Sequence, residues 1–171
     1  IILYPTDTIW GIGCDATDEK AIEKIFEIKK RAESKSMIVL LDDVKKLSRY
    51  VKDVLPQTFD LISQTTQPLT IIFDDAQNLA PSVISKDGSA AIRIVKDDFC
   101  KKLIHEFGKP IVSTSANISG EPPPKNFREI SSSIIQLVDY AVKYRQDDLT
   151  EFAPSRIIHL KKNGEVEVIR E

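Results

Sequence analysis

Short apolar runs alternate with stretches of helical periodicity along the chain, and this alternation predicts a sheet with helices packed against it. Continuous apolar runs are typical of strands buried on both faces. The predicted strands are residues 1–4, 37–41, 69–73, 90–95 and 111–114, with further strands near Ala141, Ile157 and residues 166–169. No segment repeats another and no linker divides the chain. We therefore expect a single α/β domain over residues 1–171, built on a mixed, twisted sheet.

Helices are predicted where apolar residues recur at helical spacing behind a capping residue. The predicted starts are Thr17 or Asp18, Asp42 or Asp43, Pro56, and Asp97 or Asp98, and a further helix is expected at residues 130–137. The first of these helices should end near Arg31. Gly108 is well placed to end the helix that begins near residue 98. Phe59 and Phe107 are expected on the inner faces of their helices.

Loops are predicted where glycine, proline and small polar residues gather. Residues 6–17 are interpreted as a loop or turn because they contain Gly11 and Gly13. The polar segment around Pro81 is a candidate lid. Residues 122–124 are three consecutive prolines and mark another loop.

The composition fits a soluble globular protein with a core of its own, since 42% of the residues are hydrophobic and 29% are charged. The net charge of -2 gives no global attraction for nucleic acid, although a local basic patch stays open. Cys14 and Cys100 have no partner at metal-ligand spacing, which favours two reduced, buried thiols in a cytosolic protein. No apolar run is long enough to cross a membrane. The chain opens inside a predicted strand, so we expect a native segment before Ile1.

Polar residues follow two of the predicted strands directly. Residues 6–8 (Thr-Asp-Thr) come after the first strand and present either a small-ligand site or an ordinary polar turn. Residues 113–120 (Ser-Thr-Ser-Ala-Asn-Ile-Ser-Gly) come after the strand that begins at Ile111. Their hydroxyls and amide could bind phosphate or ribose oxygens, and the alternative is a serine-rich turn.

Cations gather at the end of the first predicted helix, in Lys29, Lys30, Arg31 and Lys35. Their simplest role is to offset the helix dipole and to be solvated. The functional alternative is that Arg31, as a planar fork, and Lys29, as a point charge, bind phosphates.

Several other chemistries find no support in the sequence. His105 and His159 have no ligand-spaced neighbours, so no metal site is predicted. There is no glycine-flanked serine elbow, no Walker-type phosphate loop and no dinucleotide glycine fingerprint.

Five segments, in order, resemble the YrdC/Sua5 family of threonylcarbamoyl-adenylate synthases, in the short, single-domain form. Each is weak alone, but the likeness covers nearly the whole chain. The segments are residues 4–16 (YPTDTIWGIGCDA), 29–31 (KKR), 91–94 (AIRI), 113–120 (STSANISG) and 154–158 (PSRII). The resemblance implies a YrdC-like fold, similar to that of DHBP synthase, with a concave, positively charged cavity.

The resemblance also implies a reaction. L-threonine captures carbon dioxide from bicarbonate, and the resulting carbamate attacks the α-phosphate of ATP to give threonylcarbamoyl-AMP and pyrophosphate. ATP, with Mg²⁺, is then a substrate, and no prosthetic group is expected. A separate tRNA threonylcarbamoyl transferase would use the product in the cytoplasm to make N6-threonylcarbamoyladenosine. Direct binding of tRNA or double-stranded RNA stays open, and no membrane is implied.

The family's residue roles carry over onto matching positions. The resemblance makes Lys29 and Arg31 catalytic, as groups that stabilise charge at the α-phosphorus. Thr8, Arg93 and Ser113 would bind threonine, with Arg93 on its carboxylate. Asp7 is a weaker candidate that could merely brace its loop. The phosphate and nucleotide contacts would come from Lys29, Arg31, Ser115, Asn117 and Ser155.

Five positions depart from the family pattern, and two other functions compete. Thr66 replaces a proline, Gln67 a glycine, Ala32 a proline, Arg156 a threonine and His159 an aspartate. The alternatives are a non-catalytic RNA-binding module of the same fold and a diverged paralogue that uses another acceptor. The absence of an aromatic stacking motif weighs against the first. The presence of Asn117, Lys29 and Arg31 weighs against the second.

Overall fold

The computed structural model describes residues 1–30 and 37–171, and in these residues nine strands form one sheet. The strands are β1 (Ile2–Tyr4), β2 (Gly11–Asp15), β3 (Ile38–Leu41), β4 (Leu69–Phe73), β5 (Ala90–Ile94), β6 (Ile111–Ser115), β7 (Tyr140–Ala141), β8 (Arg156–Leu160) and β9 (Val166–Arg170). They lie in the order β7-β1-β2-β6-β3-β5-β4-β8-β9. The pairs β1–β7, β3–β5 and β4–β8 are parallel and the others antiparallel, so the predicted mixed sheet is confirmed.

Helices accompany the sheet at the predicted places. They are α1 (Glu19–Lys29), α2 (Gln57–Gln64), α3 (Asp98–Phe107) and α4 (Ser132–Leu137), with 3₁₀ turns at Val44–Arg49, Pro81–Val83 and Phe127–Glu129. The Asp18 carboxylate accepts the Ala21 N–H at the start of α1, and the Asp97 carboxylate caps α3 in the same way. Gly108 ends α3 with a φ of 75°, as predicted.

The two faces of the sheet bury different helices. Side chains alternate along a strand, so neighbouring residues face opposite layers. On one face α1 packs through Ile22, Ile25 and Phe26 against the larger core, which includes Ile12 and Val112. On the other face α3 packs through Cys100 and Ile104 against Tyr4, Leu40 and Ile111. This second face carries the cleft described below.

The loop prediction for residues 6–17 is wrong in its second half, because Gly11–Asp15 form the buried strand β2. Close packing within the sheet requires the glycines of β2. A Cβ at Gly13 would lie 2.5 Å from the Val112 carbonyl oxygen and 2.7 Å from Cε1 of Tyr4. No side chain fits there, which is why a strand carries residues that usually signal a turn.

Two aromatic residues predicted to face inward are half-exposed, Phe59 at 47% and Phe107 at 46%. On α2 the buried position is Thr58, and one step along a helix turns the next side chain away from it. Phe107 ends α3 and borders an open apolar groove together with Leu103 and Ile111.

The segment around Pro81 packs on α1 rather than forming a lid. The Ser82 hydroxyl and N–H donate to the Glu19 carboxylate, and Val83 is buried. None of its residues borders the cleft.

Cys14 and Cys100 are both free and buried, as predicted. Burial raises the pKa of the Cys14 thiol to about 12 and raises that of Cys100 as well, so both thiols stay protonated. Within the described ranges, no helix has both the length and the apolar character needed to span a bilayer.

Candidate active site

A cleft of about 360 Å³ opens over the part of the second sheet face that α3 does not cover. The floor of the cleft is formed by residues that lie side by side on the paired strands β6, β3, β5 and β4. Ile38 lies between Ser113 and Ala91, and Ala91 is also opposite Ile72. The walls come from loops and from the β8–β9 hairpin. The lining residues are Thr8, Ile9, Trp10, Gly11, Ile38, Ile72, Ala91, Arg93, Ser113, Thr114, Ser115, Pro123, Pro154, Ser155, Ile157, Ile169 and Arg170.

Arg93 is the buried cation of this cleft, with only 3% of its surface exposed. Its Nη2 lies 3.0 Å from Oδ1 of Asp7, but the two atoms are not aligned for a hydrogen bond. Nε of Arg93 also has no hydrogen-bond partner among the described residues. A buried guanidinium with an unsatisfied N–H favours an anionic ligand, because an unmade bond to a charged donor is costly. Asp7 therefore forms an ion pair with Arg93, a partner that the sequence did not indicate.

Arg170 supplies a second cation that the sequence analysis missed. It lines the cleft from β9 and donates from Nε (3.0 Å) and Nη2 (2.7 Å) to the main-chain oxygen of Ser155. Burial, and then the positive charge of Arg93, lower the pKa of Arg170 below its ordinary value. The two guanidiniums thus repel each other, and an anion bound in the cleft would relieve that repulsion.

Ser155, predicted to contact the nucleotide, is buried in the cleft wall. Its hydroxyl lies 2.8 Å from that of Thr70, a residue of β4 that has no exposed surface. The Arg170 side chain fixes its main-chain oxygen. Ser155 is therefore held from two sides at the edge of the cavity.

Lys29, the last residue of α1, is 2% exposed and holds the loop after β6. Its ammonium donates to the main-chain oxygens of Ser115 and of Asn117, the latter at 2.6 Å, and lies 3.4 Å from Oδ1 of Asn117. Ser115 lines the cleft, whereas Lys29 and Asn117 are not among its lining residues and are linked to Ser115 through the Lys29 ammonium. Arg31 falls outside the described residues.

Thr8 and Ser113, the residues predicted to bind threonine with Arg93, both line the cleft. The Thr8 hydroxyl lies 2.9 Å from that of Thr6, which donates to the Ile9 carbonyl and accepts the Thr8 N–H, so a local turn orients Thr8. A Cβ on Gly11 would lie 2.7 Å from Oγ of Ser113. The missing side chain at Gly11 thus leaves room for the Ser113 hydroxyl.

Among the described residues, the positions that depart from the family pattern do not line the cleft. Arg156 pairs with Glu171, and His159 lies 2.9 Å from Asp74. Gln67 does not have a positive φ, so the backbone conformation at this position does not require the glycine of the family pattern. Ala32 lies outside the described residues. Within residues 1–30 and 37–171, no three His, Cys, Asp or Glu side chains are close enough to hold a metal ion.

Comparison with known proteins decides the family. A family model for Sua5, YciO and YrdC proteins, described as telomere recombination, matches residues 1–171. The chain belongs to the Sua5/YciO/YrdC family. Among its Sua5/YciO/YrdC relatives, the threonylcarbamoyl-AMP synthase of Pseudoalteromonas translucida is 32% identical over 145 residues, which cover 83% of this chain and 78% of that protein. The protein of the same name from Photobacterium profundum is 34% identical over 139 residues, covering 78% of this chain and 74% of that protein.

Solved structures of the Sua5/YciO/YrdC family share the fold. P. abyssi Sua5 complexed with L-threonine superposes with a TM-score of 0.79 at 26% identity, covering 93% of this chain and 46% of that one. E. coli YciO superposes with a TM-score of 0.80 at 23% identity, covering 99% of this chain and 82% of that one. The chain spans about half the length of the Sua5 structures it matches. The predicted YrdC-like α/β fold is thereby confirmed, while the net charge of the cavity stays a prediction.

Proposed function

We propose that this protein is an L-threonylcarbamoyladenylate synthase, which makes threonylcarbamoyl-AMP and pyrophosphate from L-threonine, bicarbonate and ATP. The observation that carries the proposal is the buried Arg93, whose Nε has no hydrogen-bond partner among the described residues, in one cleft with Arg170. The relatives named threonylcarbamoyl-AMP synthase and the Sua5 complex with L-threonine support the same substrates.

The cleft chemistry suits a reaction between anions. The threonine carboxylate, the carbamate and the triphosphate repel one another in water, so fixed cations and donors must hold them in reacting geometry. Once carbon dioxide has added to the threonine amine, a carbamate oxygen forms a bond to the α-phosphorus. The bond from that phosphorus to the bridging oxygen breaks, and pyrophosphate leaves. The attacking oxygen belongs to the substrate, so no protein nucleophile is needed.

The threonine side of the site would be built around Arg93. Its guanidinium, braced by Asp7, would pair with the threonine carboxylate. Thr8 and Ser113 would orient the rest of the amino acid by hydrogen bonds from their hydroxyls. The apolar floor around Ile38 and Ala91 offers contact for the methyl group.

The nucleotide side would be built around the loop after β6. Ser115 and Asn117 would bind phosphate oxygens, and Ser155 would contact the nucleotide. Lys29 holds this loop by its main-chain oxygens, so its charge would lie close to phosphates bound there. Arg31, close to Lys29 in sequence, is proposed as the second catalytic cation. We add Arg170 to this set because it lines the same cleft and its guanidinium holds Ser155.

Mg²⁺ would arrive on ATP rather than reside in the protein. Among the described residues, the Asp7 carboxylate beside the cleft is paired with Arg93, and the polar lining groups are mostly hydroxyls and arginines. This donor set does not fit a resident Mg²⁺, which prefers carboxylates. We place the enzyme in the cytoplasm, where a separate transferase would carry its product to tRNA.

Pyrophosphate release tests the proposal. Purified protein with ATP, Mg²⁺, bicarbonate and L-threonine should release pyrophosphate, and mass spectrometry with labelled bicarbonate should detect the labelled adenylate. Leaving out threonine should stop both signals. Release without threonine, or none in the complete mixture, would contradict the proposal. Salt-dependent retention of tRNA on filters in an inactive protein would instead favour the RNA-binding alternative.

A further inference from the structure

Thr70 is a fully buried polar side chain directly behind the cleft wall. It lies on β4, opposite Arg93 on β5 and opposite Ile157 on β8. Its hydroxyl is 2.8 Å from the Ser155 hydroxyl, and within the described part of the chain it has no other hydrogen-bond partner. Thr70 does not line the cleft, whereas Ser155 does.

The Ser155 hydroxyl depends on Thr70 for its orientation. Arg170 holds the main-chain oxygen of Ser155 with two short hydrogen bonds but approaches its Oγ only at 3.4 Å. The backbone is therefore fixed by Arg170, while the short contact that directs the side chain comes from Thr70. A hydroxyl has a single proton to donate. When Thr70 donates to Ser155, the Ser155 proton is left for a ligand oxygen in the cleft.

We propose that Thr70 is a positioning residue that donates its proton to Ser155 and thereby turns the Ser155 hydroxyl toward a substrate oxygen. The inference rests on the proposed function, since it needs a substrate with acceptor oxygens in the cleft. In such a chain of hydroxyls, the Thr70 donor polarises the Ser155 hydroxyl. This polarisation strengthens the hydrogen bond from Ser155 to the substrate oxygen. The effect of Thr70 is thus transmitted through Ser155 and not by contact with the ligand.

Valine and serine substitutions separate the hydroxyl of Thr70 from its bulk. Thr70→Val keeps the shape and removes the donor, whereas Thr70→Ser keeps the donor and removes a methyl group. Thr58→Val is a matched control, because Thr58 is also fully buried but its Oγ1 has no hydrogen-bond partner among the described residues. Thr58 lies on α2 and does not line the cleft.

The experiment compares KM for ATP, KM for threonine and kcat in these variants, in Ser155→Ala and in the double variant Thr70→Val/Ser155→Ala. Ser155→Ala identifies the substrate that Ser155 contacts, as the one whose KM rises. We expect Thr70→Val to raise the KM of that same substrate about 5- to 10-fold, as the loss of one hydrogen bond implies. Thr70→Ser should restore it to within about 2-fold, and Thr58→Val should match the wild type.

The double variant tests whether Thr70 acts through Ser155. If it does, Thr70→Val adds nothing once the Ser155 hydroxyl is gone, so the double variant should match Ser155→Ala. Additive effects, an unchanged KM in Thr70→Val, or failure of Thr70→Ser to restore it would overturn the inference. A thermal melt of each variant excludes loss of folded protein as the cause. An inactive wild type would refute the proposed function instead, so the two failures are distinguishable.

Discussion

The ammonium nitrogen of Lys29 lies 2.6 Å from the main-chain oxygen of Asn117, so the last residue of α1 fixes the loop after β6. A lysine at a helix end usually extends into solvent, where it offsets the helix dipole. Here the Lys29 side chain is buried, and its ammonium donates hydrogen bonds to main-chain carbonyl groups. Removing its charge would therefore also remove its structural contacts.

Lys29→Met should lower both stability and turnover. The substitution leaves the carbonyls of Ser115 and Asn117 without their charged donor, which should cost about 2–3 kcal/mol of unfolding free energy. Urea unfolding measures this loss, and pyrophosphate release measures activity. Lys20→Met, on the exposed side of the same helix, should change neither quantity. Wild-type stability in Lys29→Met would contradict the structural role.

Arg31→Ala should reduce kcat about 10²-fold or more, if Arg31 supplies a few kcal/mol of charge stabilisation at the α-phosphorus. Stability should change little by comparison with Lys29→Met. Single-turnover pyrophosphate release is the measurement. Turnover at the wild-type rate would remove Arg31 from the catalytic set.

Arg93→Lys should chiefly weaken threonine binding, because an ammonium keeps the charge but loses the planar fork that matches a carboxylate. We expect KM for threonine to rise at least 10-fold, with a smaller effect on KM for ATP. The ion pair with Asp7 allows a second measurement, the melting temperature of Arg93→Ala. This variant leaves the Asp7 carboxylate buried without its ion-pair partner, so the melting temperature of the protein should fall as well. A threonine titration that is unchanged in Arg93→Lys argues against carboxylate pairing.

The two glycines of β2 should respond differently to alanine. Gly13→Ala drives a methyl group into the Val112 carbonyl and the Tyr4 ring, and should cost about 2–3 kcal/mol of stability. Gly11→Ala meets the movable Ser113 hydroxyl, so it should cost less stability but raise KM for threonine. Chemical unfolding and substrate titration of both variants separate these effects. The prediction fails if Gly11→Ala is the less stable of the two.

Stability should decline in acid partly through Asp42. Burial alone would raise the pKa of its carboxyl, but the hydrogen bond and charge of Lys46 and the contact with His105 hold the pKa below its ordinary value. The unfolded state therefore takes up a proton first as the pH falls. The stabilisation is complete above the ordinary carboxyl pKa of about 4 and is lost as the pH falls through the lower folded value.

Asp42→Asn should accordingly be less stable than the wild type at pH 7, by about 1 kcal/mol, and should lose less stability on acidification. Melting temperatures between pH 7 and pH 3 give the comparison. Asp60→Asn, at an exposed carboxylate, should follow the wild-type curve. Parallel curves for Asp42→Asn and the wild type would show that this ion pair does not contribute.

Local patterns predicted most of the elements, because apolar runs, capping aspartates and Gly108 act over short distances. They failed at β2, where glycine serves contact with Tyr4 and Val112 from other strands. Some residues of the candidate site could likewise be predicted from the local sequence, and others could not. Arg93 and Ser113 belong to strands whose polar residues stand out among apolar ones. The roles of Arg170 and Thr70 depend on the pairing of β8 with β4 and β9, and nothing near either residue in the sequence signals it.

The placement of Arg170 has a consequence for protein synthesis. Thr8 is translated long before Arg170, yet both line the same cavity. A nascent chain that stops before β9 could pair most of its strands but would lack one cation and the anchor of Ser155. Catalytic competence would thus be gained only after β9 has been translated, and nascent chains that stop before it would not consume ATP.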